Sequence, residues 1–130
     1  MAETVAKEMP SVAAIAANTW LTDSDLKVYS EEYTRTGFQG GLNWYRVRTG
    51  GKVTGELEVF TGRTIDVPAT FISGKSDWGI YQTPGAIARM QKTACTNMKE
   101  IHLIEGAGHW VQQEKADEVN RLLVQFLKST

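Results

Sequence analysis

The stretch Gly106-Ala-Gly-His-Trp110 follows an apolar run, Ile101–Ile104, and precedes an amphipathic segment that extends almost to the C-terminus. The apolar run predicts a buried strand, and glycines on both sides of Ala107 leave room for a tight turn and for a ligand. His109 therefore lies just after the C-terminal end of a predicted strand, where open α/β sheets build their sites. A lone histidine there is more often a satisfied or surface imidazole, so its role depends on a partner.

A second strand and turn precede this one in the sequence. Val67–Ser73 is a β-rich apolar run, and it stops at Gly74-Lys-Ser-Asp77. Helices are predicted over 84–93, between the two strands, and over 115–127, after His109. One buried face of the last helix is predicted to comprise Val119, Leu122, Leu123, Phe126 and Leu127. Alternating strands and helices predict a parallel pair of strands with a right-handed crossover, an α/β fold.

Asp77 and His109 both fall just after the C-terminal ends of the predicted strands. Because those ends lie at the same edge of a parallel sheet, the two side chains can meet. An aspartate bonded to one imidazole nitrogen fixes the tautomer, and the other nitrogen is then free to act as a general base. The alternative is an aspartate that only caps a turn, together with an unrelated histidine.

The N-terminal third reads as helical. Residues 11–20 are rich in alanine and predict one short helix, capped by Ser11. A second helix is predicted from Thr22 to Gly37, which ends it. Residues 38–46 predict a short aromatic helix, in which adjacent Trp44 and Tyr45 cannot both face one core. One of them is predicted to point into a cavity or a partner surface, where the tyrosine hydroxyl could donate a hydrogen bond to a substrate oxygen.

The composition is that of one globular domain. The 130 residues are 42% hydrophobic and 22% charged, with a net charge of −1. The absence of a basic cluster argues against nucleic acid or an anionic membrane as the main partner, and no apolar run is long enough to span a membrane. The single cysteine, Cys95, excludes an internal disulfide and a paired-cysteine metal site, and it favours a cytoplasmic location.

The chain resembles the C-terminal part of an α/β-hydrolase of the soluble epoxide hydrolase type. The resemblance covers most of residues 20–128 and rests on four segments, which are Gly40–Arg46, Val67-Pro68, Phe71–Asp77 and Gly106–Glu114. It implies a short parallel sheet with flanking helices, preceded by helical segments of the lid, or cap domain, of that family.

The resemblance also implies a division of the chain. Residues 1–47 would be a helical cap-like segment, 48–64 a glycine-punctuated linker, and 65–130 the C-terminal part of the hydrolase core. Val53, Leu57 and Val59 give only a weak alternating signal within the linker.

Three positions match the family's catalytic residues. His109 resembles the base that activates water, Asp77 the acid that orients it, and Tyr45 one of two tyrosines that polarise an epoxide oxygen. The family reaction passes through an aspartyl ester and gives a diol, with no cofactor or metal. A small apolar, epoxide-like substrate is implied. An aromatic-lined pocket for it is suggested by Trp44, Trp78 and Trp110.

The chain also departs from the family's pattern. No nucleophile elbow, Gly-x-Asp-x-Gly or Gly-x-Ser-x-Gly, precedes Asp77, and Ala116 stands where a proline is common. We therefore expect a C-terminal fragment that is inactive alone. Two parallel strands leave an open edge, which predicts self-association or a complementing N-terminal half. The alternatives are a non-catalytic remnant or interaction module, and a dehalogenase or esterase of the same fold.

Overall fold

The structure, a computed structural model, describes residues 2–50, 55 and 58–130. The chain divides into two compact units, Met1–Gly40 and Gly41–Thr130. The predicted linker over 48–64 falls partly outside the described residues, and so do Val53 and Leu57 of its weak alternation. The division of the chain at residues 47 and 64 stays a prediction.

The first unit begins with two short helices, α1 (Ala2–Glu8) and α2 (Val12–Ala16). The hydroxyl of Ser11 caps α2 as predicted, accepting the Ala14 N–H at 3.1 Å. α2 is shorter than the predicted helix over 11–20. It ends early because the Asn18 side-chain oxygen accepts the backbone N–H groups of the two residues Trp20 and Leu21, each at 3.0 Å, which turns the chain away from the helix.

The third helix, α3 (Asp23–Thr36), has the predicted ends. Thr22 and Asp25 form a capping box, in which the Asp25 carboxylate accepts the Thr22 N–H at 2.9 Å and the Thr22 hydroxyl accepts the Asp25 N–H at 3.3 Å. Gly37 follows with φ of 68°, and its N–H donates to the Tyr33 carbonyl at 2.8 Å. A positive φ is the reason that glycine stands there.

The parallel pair of strands is confirmed. β1 (Ala69–Gly74) pairs with β2 (Met98–Ile104) in parallel, and their last residues, Gly74 and Ile104, lie opposite each other. β1 starts after Pro68, whose nitrogen has no hydrogen to donate to a neighbouring strand. The strands therefore end together, which places the turns that follow them at one edge of the sheet.

Helical turns connect and flank the strands. α4 (Gln39–Gly50) contains the predicted aromatic segment. A 3₁₀ turn over Trp78–Tyr81 follows β1, and α5 (Ala86–Arg89) then continues into a π-helical turn, Met90–Ala94, that leads to β2. The predicted helix over 84–93 is therefore confirmed as helical structure, with a widened last turn.

The C-terminal helices contact the sheet through one small apolar cluster. α6 (Val111–Glu114) is separated from α7 (Ala116–Ser129) by a break at Lys115. Buried apolar residues from the end of β2, the following turn and both helices form one cluster, against which Ile72 of β1 packs. The cluster comprises Ile104, Ala107, Val111, Val119 and Leu122. This cluster anchors the turn that carries His109.

The predicted buried face of α7 is wrong for two of its five residues. Val119 and Leu122 are buried, but Leu123 is 41% exposed and Leu127 is 70% exposed. The described residues form a sheet of only two strands, and so narrow a surface cannot cover an apolar stripe of this width. Helical periodicity shows which residues share a face and does not show whether another element covers it.

The longest described helices, α3 and α7, have 14 residues each. At 1.5 Å per residue such a helix extends about 21 Å, less than the roughly 30 Å of a bilayer's hydrocarbon core. Among the helices of the described residues, none has both the length and the apolar character needed to cross a membrane.

Candidate active site

Asp77 is positioned by the turn that follows β1. Its backbone N–H donates to the Gly74 carbonyl at 3.1 Å. One of its carboxylate oxygens, Oδ1, accepts the Gly79 N–H at 2.8 Å, which caps the 3₁₀ turn Trp78–Tyr81. These bonds fix both the backbone and the side chain of Asp77, which is buried.

His109 is positioned by a turn that folds back over the end of β1. Gly106 adopts φ of 65°, a conformation that glycine reaches at low cost. The next residue, Ala107, is 1% exposed, and its carbonyl accepts the Ser76 N–H at 3.0 Å. The turn after β2 is thus bonded to the turn after β1, which brings His109 towards Asp77.

The two turns approach so closely that only glycine fits at position 74. A Cβ atom on Gly74 would lie 2.2 Å from the Gly108 carbonyl oxygen and 2.4 Å from that of Ala107. Both are backbone atoms, which cannot rotate away as a flexible side chain could. Gly74 is therefore required by space.

Asp77 and His109 meet, as the sequence predicts. His109 Nδ1 lies 3.0 Å from Asp77 Oδ1, and the histidine side chain is half exposed, at 51%. An ionised carboxylate can only accept hydrogen bonds, so the proton of the neutral ring lies on Nδ1 and Nε2 carries the free lone pair. Asp77 also caps a turn, so this carboxylate makes the capping bond and the bond to His109 together. Its catalytic role stays a prediction.

The pKa of Asp77 lies below its ordinary value. Burial acts to raise this pKa, but hydrogen bonds from the Gly79 N–H, from His109 and from the Ser73 hydroxyl outweigh it and favour the charged form. Asp77 is therefore a carboxylate at neutral pH and can stabilise an imidazolium at His109.

This lowered pKa predicts how stability depends on pH. A carboxyl whose pKa is lower in the folded than in the unfolded chain stabilises the fold above its unfolded pKa, about 3.9, and loses that effect as pH falls through the folded pKa. Asp77→Asn should therefore be less stable than wild type at pH 6, and the difference should shrink steadily below about pH 4. Urea unfolding of both proteins from pH 7 to pH 3 measures it. A difference that stays constant over this range would contradict the assignment.

Two of the predicted aromatic residues flank His109. The Trp78 ring stacks on the imidazole at a centroid distance of 5.6 Å and an interplanar angle of 22°, and Trp110 contacts it edge-on at 5.3 Å and 77°. Both indoles are more than a third exposed. They restrict the rotation of the imidazole and give it an apolar border.

The other two predicted site residues lie on α4. Trp44 is 71% exposed and Tyr45 is 65% exposed. Their exposure on adjacent positions of one helix agrees with the expectation that they do not share one core. Their roles at the site stay predictions.

Two further residues hold the pair, and neither stood out in the sequence. The buried Ser73 hydroxyl donates to Asp77 Oδ2 at 3.2 Å. The Glu114 carboxylate accepts the backbone N–H groups of Gly108 at 2.7 Å and Trp110 at 2.9 Å. A hydroxyl four residues before the acid, and a carboxylate five residues after the histidine, are the only signals that the sequence offers for them.

The chemistry of this arrangement is proton transfer. With Nδ1–H held by Asp77, the Nε2 atom of His109 can take a proton from water, and the carboxylate stabilises the charge that results. Among the described residues, no three His, Cys, Asp or Glu side chains are grouped as ligands of a metal ion.

Curated proteins similar to this chain are named as epoxide hydrolases. Epoxide hydrolase A of Mycobacterium tuberculosis is 40% identical over 120 residues, which cover 92% of this chain and 35% of that protein. Epoxide hydrolase 1 of Siraitia grosvenorii is 36% identical over 118 residues, covering 87% of this chain and 36% of the relative. No protein-family model matches the chain.

Solved structures agree with this similarity. Epoxide hydrolase I of potato (Solanum tuberosum) superposes with a TM-score of 0.77 at 29% identity, covering 95% of this chain and 39% of its own. Epoxide Hydrolase A from Mycobacterium thermoresistibile gives a TM-score of 0.73 at 40% identity, covering 85% of this chain and 33% of its own.

The short parallel sheet with flanking helices is the C-terminal part of an α/β-hydrolase fold. Within that fold, the chain is similar over most of its length to proteins that are named as epoxide hydrolases. It spans about a third of the length of the curated relatives it matches.

Proposed function

We propose that this chain supplies the acid and the base of an epoxide hydrolase that works through an aspartyl ester. The observation that carries the proposal is the hydrogen bond between Asp77 Oδ1 and His109 Nδ1 at the ends of two adjacent parallel strands. The similarity to epoxide hydrolases over most of the chain supports the choice of substrate class.

The proposed reaction has two stages. A carboxylate nucleophile attacks an epoxide carbon, the carbon–oxygen bond breaks, and the oxygen takes a proton from Tyr45, which gives a hydroxyalkyl ester. Water then attacks the carbonyl carbon of that ester and passes a proton to His109 Nε2. The ester bond breaks, which releases the diol and regenerates the free carboxylate. Proton return from His109 to the phenolate of Tyr45 restores the starting state.

Each side chain has a separate part in this proposal. Asp77 orients His109 and stabilises its imidazolium, Tyr45 polarises the epoxide oxygen, and the indoles of Trp44, Trp78 and Trp110 border a small apolar substrate. Residues 1–47 serve as a cap-like segment, 48–64 as a linker and 65–130 as the end of the hydrolase core. A cytoplasmic location accompanies the proposal, since one cysteine cannot form an internal disulfide.

The nucleophile must come from outside this sequence, because no nucleophile elbow precedes Asp77. Leu123 and Leu127 of α7 are apolar and exposed, which supports the proposal that another surface covers them. That surface would belong to a complementing N-terminal half or to a second copy. We therefore expect the isolated chain to turn over no epoxide.

The test is a chimera. In Epoxide hydrolase A of Mycobacterium tuberculosis, the segment matched by this chain is replaced with the chain itself, so that the remaining part supplies the nucleophile. The chimera is expected to convert styrene oxide to its diol, whereas the chain alone is not. Chromatography of the diol measures both.

Two outcomes would contradict the proposal. Diol formation by the pure chain would show that it contains its own nucleophile. A chimera that folds, by circular dichroism and a cooperative thermal transition, but forms no diol would show that this chain does not supply the acid and base of an epoxide hydrolase. Unmodified Epoxide hydrolase A is the positive control.

A second function is favoured by the same exposed apolar residues. An interaction module that retains the pair without catalysis would use Leu123, Leu127 and the open sheet edge to bind a partner. It would give a folded, inactive chimera, which separates it from the enzyme. A dehalogenase or esterase of the same fold would instead hydrolyse a halogenated acid or an ester in the chimera and leave styrene oxide intact.

A further inference from the structure

Glu114 holds the backbone on both sides of His109. Its Oε2 atom accepts the Gly108 N–H at 2.7 Å, and its Oε1 atom accepts the Trp110 N–H at 2.9 Å. A Cβ atom on Gly108 would lie 3.4 Å from Oε1 and 3.6 Å from Oε2, so the carboxylate packs directly against this glycine. One side chain thus fixes the residues immediately before and after the histidine.

These two bonds add to others at this turn, where the Trp110 carbonyl accepts the N–H groups of Gln113 at 2.8 Å and Glu114 at 2.9 Å. His109 is half exposed, and the turn before it contains Gly106 with a positive φ. The neighbouring Ala107 is anchored in the core, but the chain between Ala107 and α6 must still be held in one conformation. Hydrogen bonds from backbone N–H groups to a carboxylate are about twice as strong as those between neutral groups, so Glu114 is well suited to this task.

We propose that Glu114 is a positioning residue, which fixes the turn Gly108–Trp110 so that His109 presents Nδ1 to Asp77 and leaves Nε2 free. Glu114 touches neither the substrate nor the reacting atoms in this proposal, and it acts only through the histidine. The consequence for catalysis rests on the proposed function, whereas the consequence for the ring itself does not.

The tautomer of His109 is the readout that a merely structural role would not move. The chain has only two histidines, His102 and His109, so selective ¹⁵N labelling gives two imidazoles, assigned with the variant His102→Gln. Wild type is expected to show His109 protonated on Nδ1 and unprotonated on Nε2 at a pH where the ring is neutral. His102, which pairs with Glu100 at 2.9 Å on β2, serves as an internal reference.

Two substitutions of Glu114 test the proposal. Glu114→Ala removes both acceptors, and His109 is expected to exchange between its two tautomers. Amide exchange of Gly108 and Trp110 should become faster by about tenfold to a hundredfold, the worth of a lost hydrogen bond to a charged group. Glu114→Gln has nearly the same shape but one acceptor oxygen, so one of the two amides should stay protected. This variant keeps the test valid if the alanine variant unfolds.

Glu118→Gln is the matched control. It removes an exposed carboxylate one helical turn further along, in α7, and should change neither the His109 tautomer nor the two amides. The proposal is overturned if Glu114→Gln and any folded Glu114→Ala keep the wild-type tautomer of His109, even where the exchange of the two amides becomes faster. An unchanged tautomer would not contradict diol formation by the chimera, and an inactive chimera would not contradict a changed tautomer. The failure of this proposal and the failure of the proposed function are therefore distinguishable.

Discussion

Replacing His109 with alanine is expected to lower diol formation by the chimera by roughly two to four orders of magnitude, the usual contribution of a general base. The reason is specific to the second stage of the proposed reaction. Without Nε2 no group takes the proton from the attacking water, while the nucleophile can still open the epoxide. The hydroxyalkyl ester should therefore accumulate. Intact-mass spectrometry after mixing with styrene oxide should show the protein mass increased by one substrate molecule.

The chain contains its own control for this experiment. His102 is the only other histidine, and it lies on β2 and pairs with Glu100. His102→Gln should leave the rate of diol formation unchanged. Its mass should not increase after mixing with styrene oxide. A His109→Ala chimera that forms diol at the parent rate would refute the assigned base, and a loss of activity without the ester would indicate that His109 acts in ring opening instead.

Replacing Gly74 with alanine is expected to have the largest effect on stability. The new methyl group would meet the carbonyl oxygens of Gly108 and Ala107 at 2.2 and 2.4 Å, so the two turns must separate. Overpacking of this kind costs about 1–3 kcal/mol, and it should lower the midpoint of thermal unfolding by on the order of 10 °C. The same displacement should weaken the bond between Asp77 and His109, because each residue lies on one of these turns.

Gly41→Ala is the matched control for this substitution. A Cβ atom on Gly41 meets no atom within 4 Å, and Gly41 lies inside α4. Alanine favours a helix over glycine by up to about 1 kcal/mol, so this variant should unfold at the wild-type temperature or slightly above it. Differential scanning calorimetry compares the three proteins. An unchanged midpoint for Gly74→Ala would mean that the turns do not approach as closely as the structure shows.

The sequence determined the topology of the two strands and the contact between Asp77 and His109. Two apolar runs of strand length, separated by a helical segment, were enough to predict a parallel pair, and the position of Asp77 and His109 just beyond the two runs predicted their contact. The physical reason is that parallel strands have their C-terminal ends at the same edge of the sheet, so residues 32 positions apart meet without any further information.

The tertiary structure alone decided how the pair is held and how much of the core is covered. Glycine is needed at position 74 because the turns after β1 and β2 approach each other closely. The hydrogen bonds that Glu114 accepts from Gly108 and Trp110 depend on how the chain turns into α6. The periodicity of residues along one element predicts neither. The exposure of Leu123 and Leu127 likewise depends on which surfaces lie opposite α7. A pattern of residues gives the direction of each side chain along its own element, whereas contacts between elements arise only when the chain packs against itself.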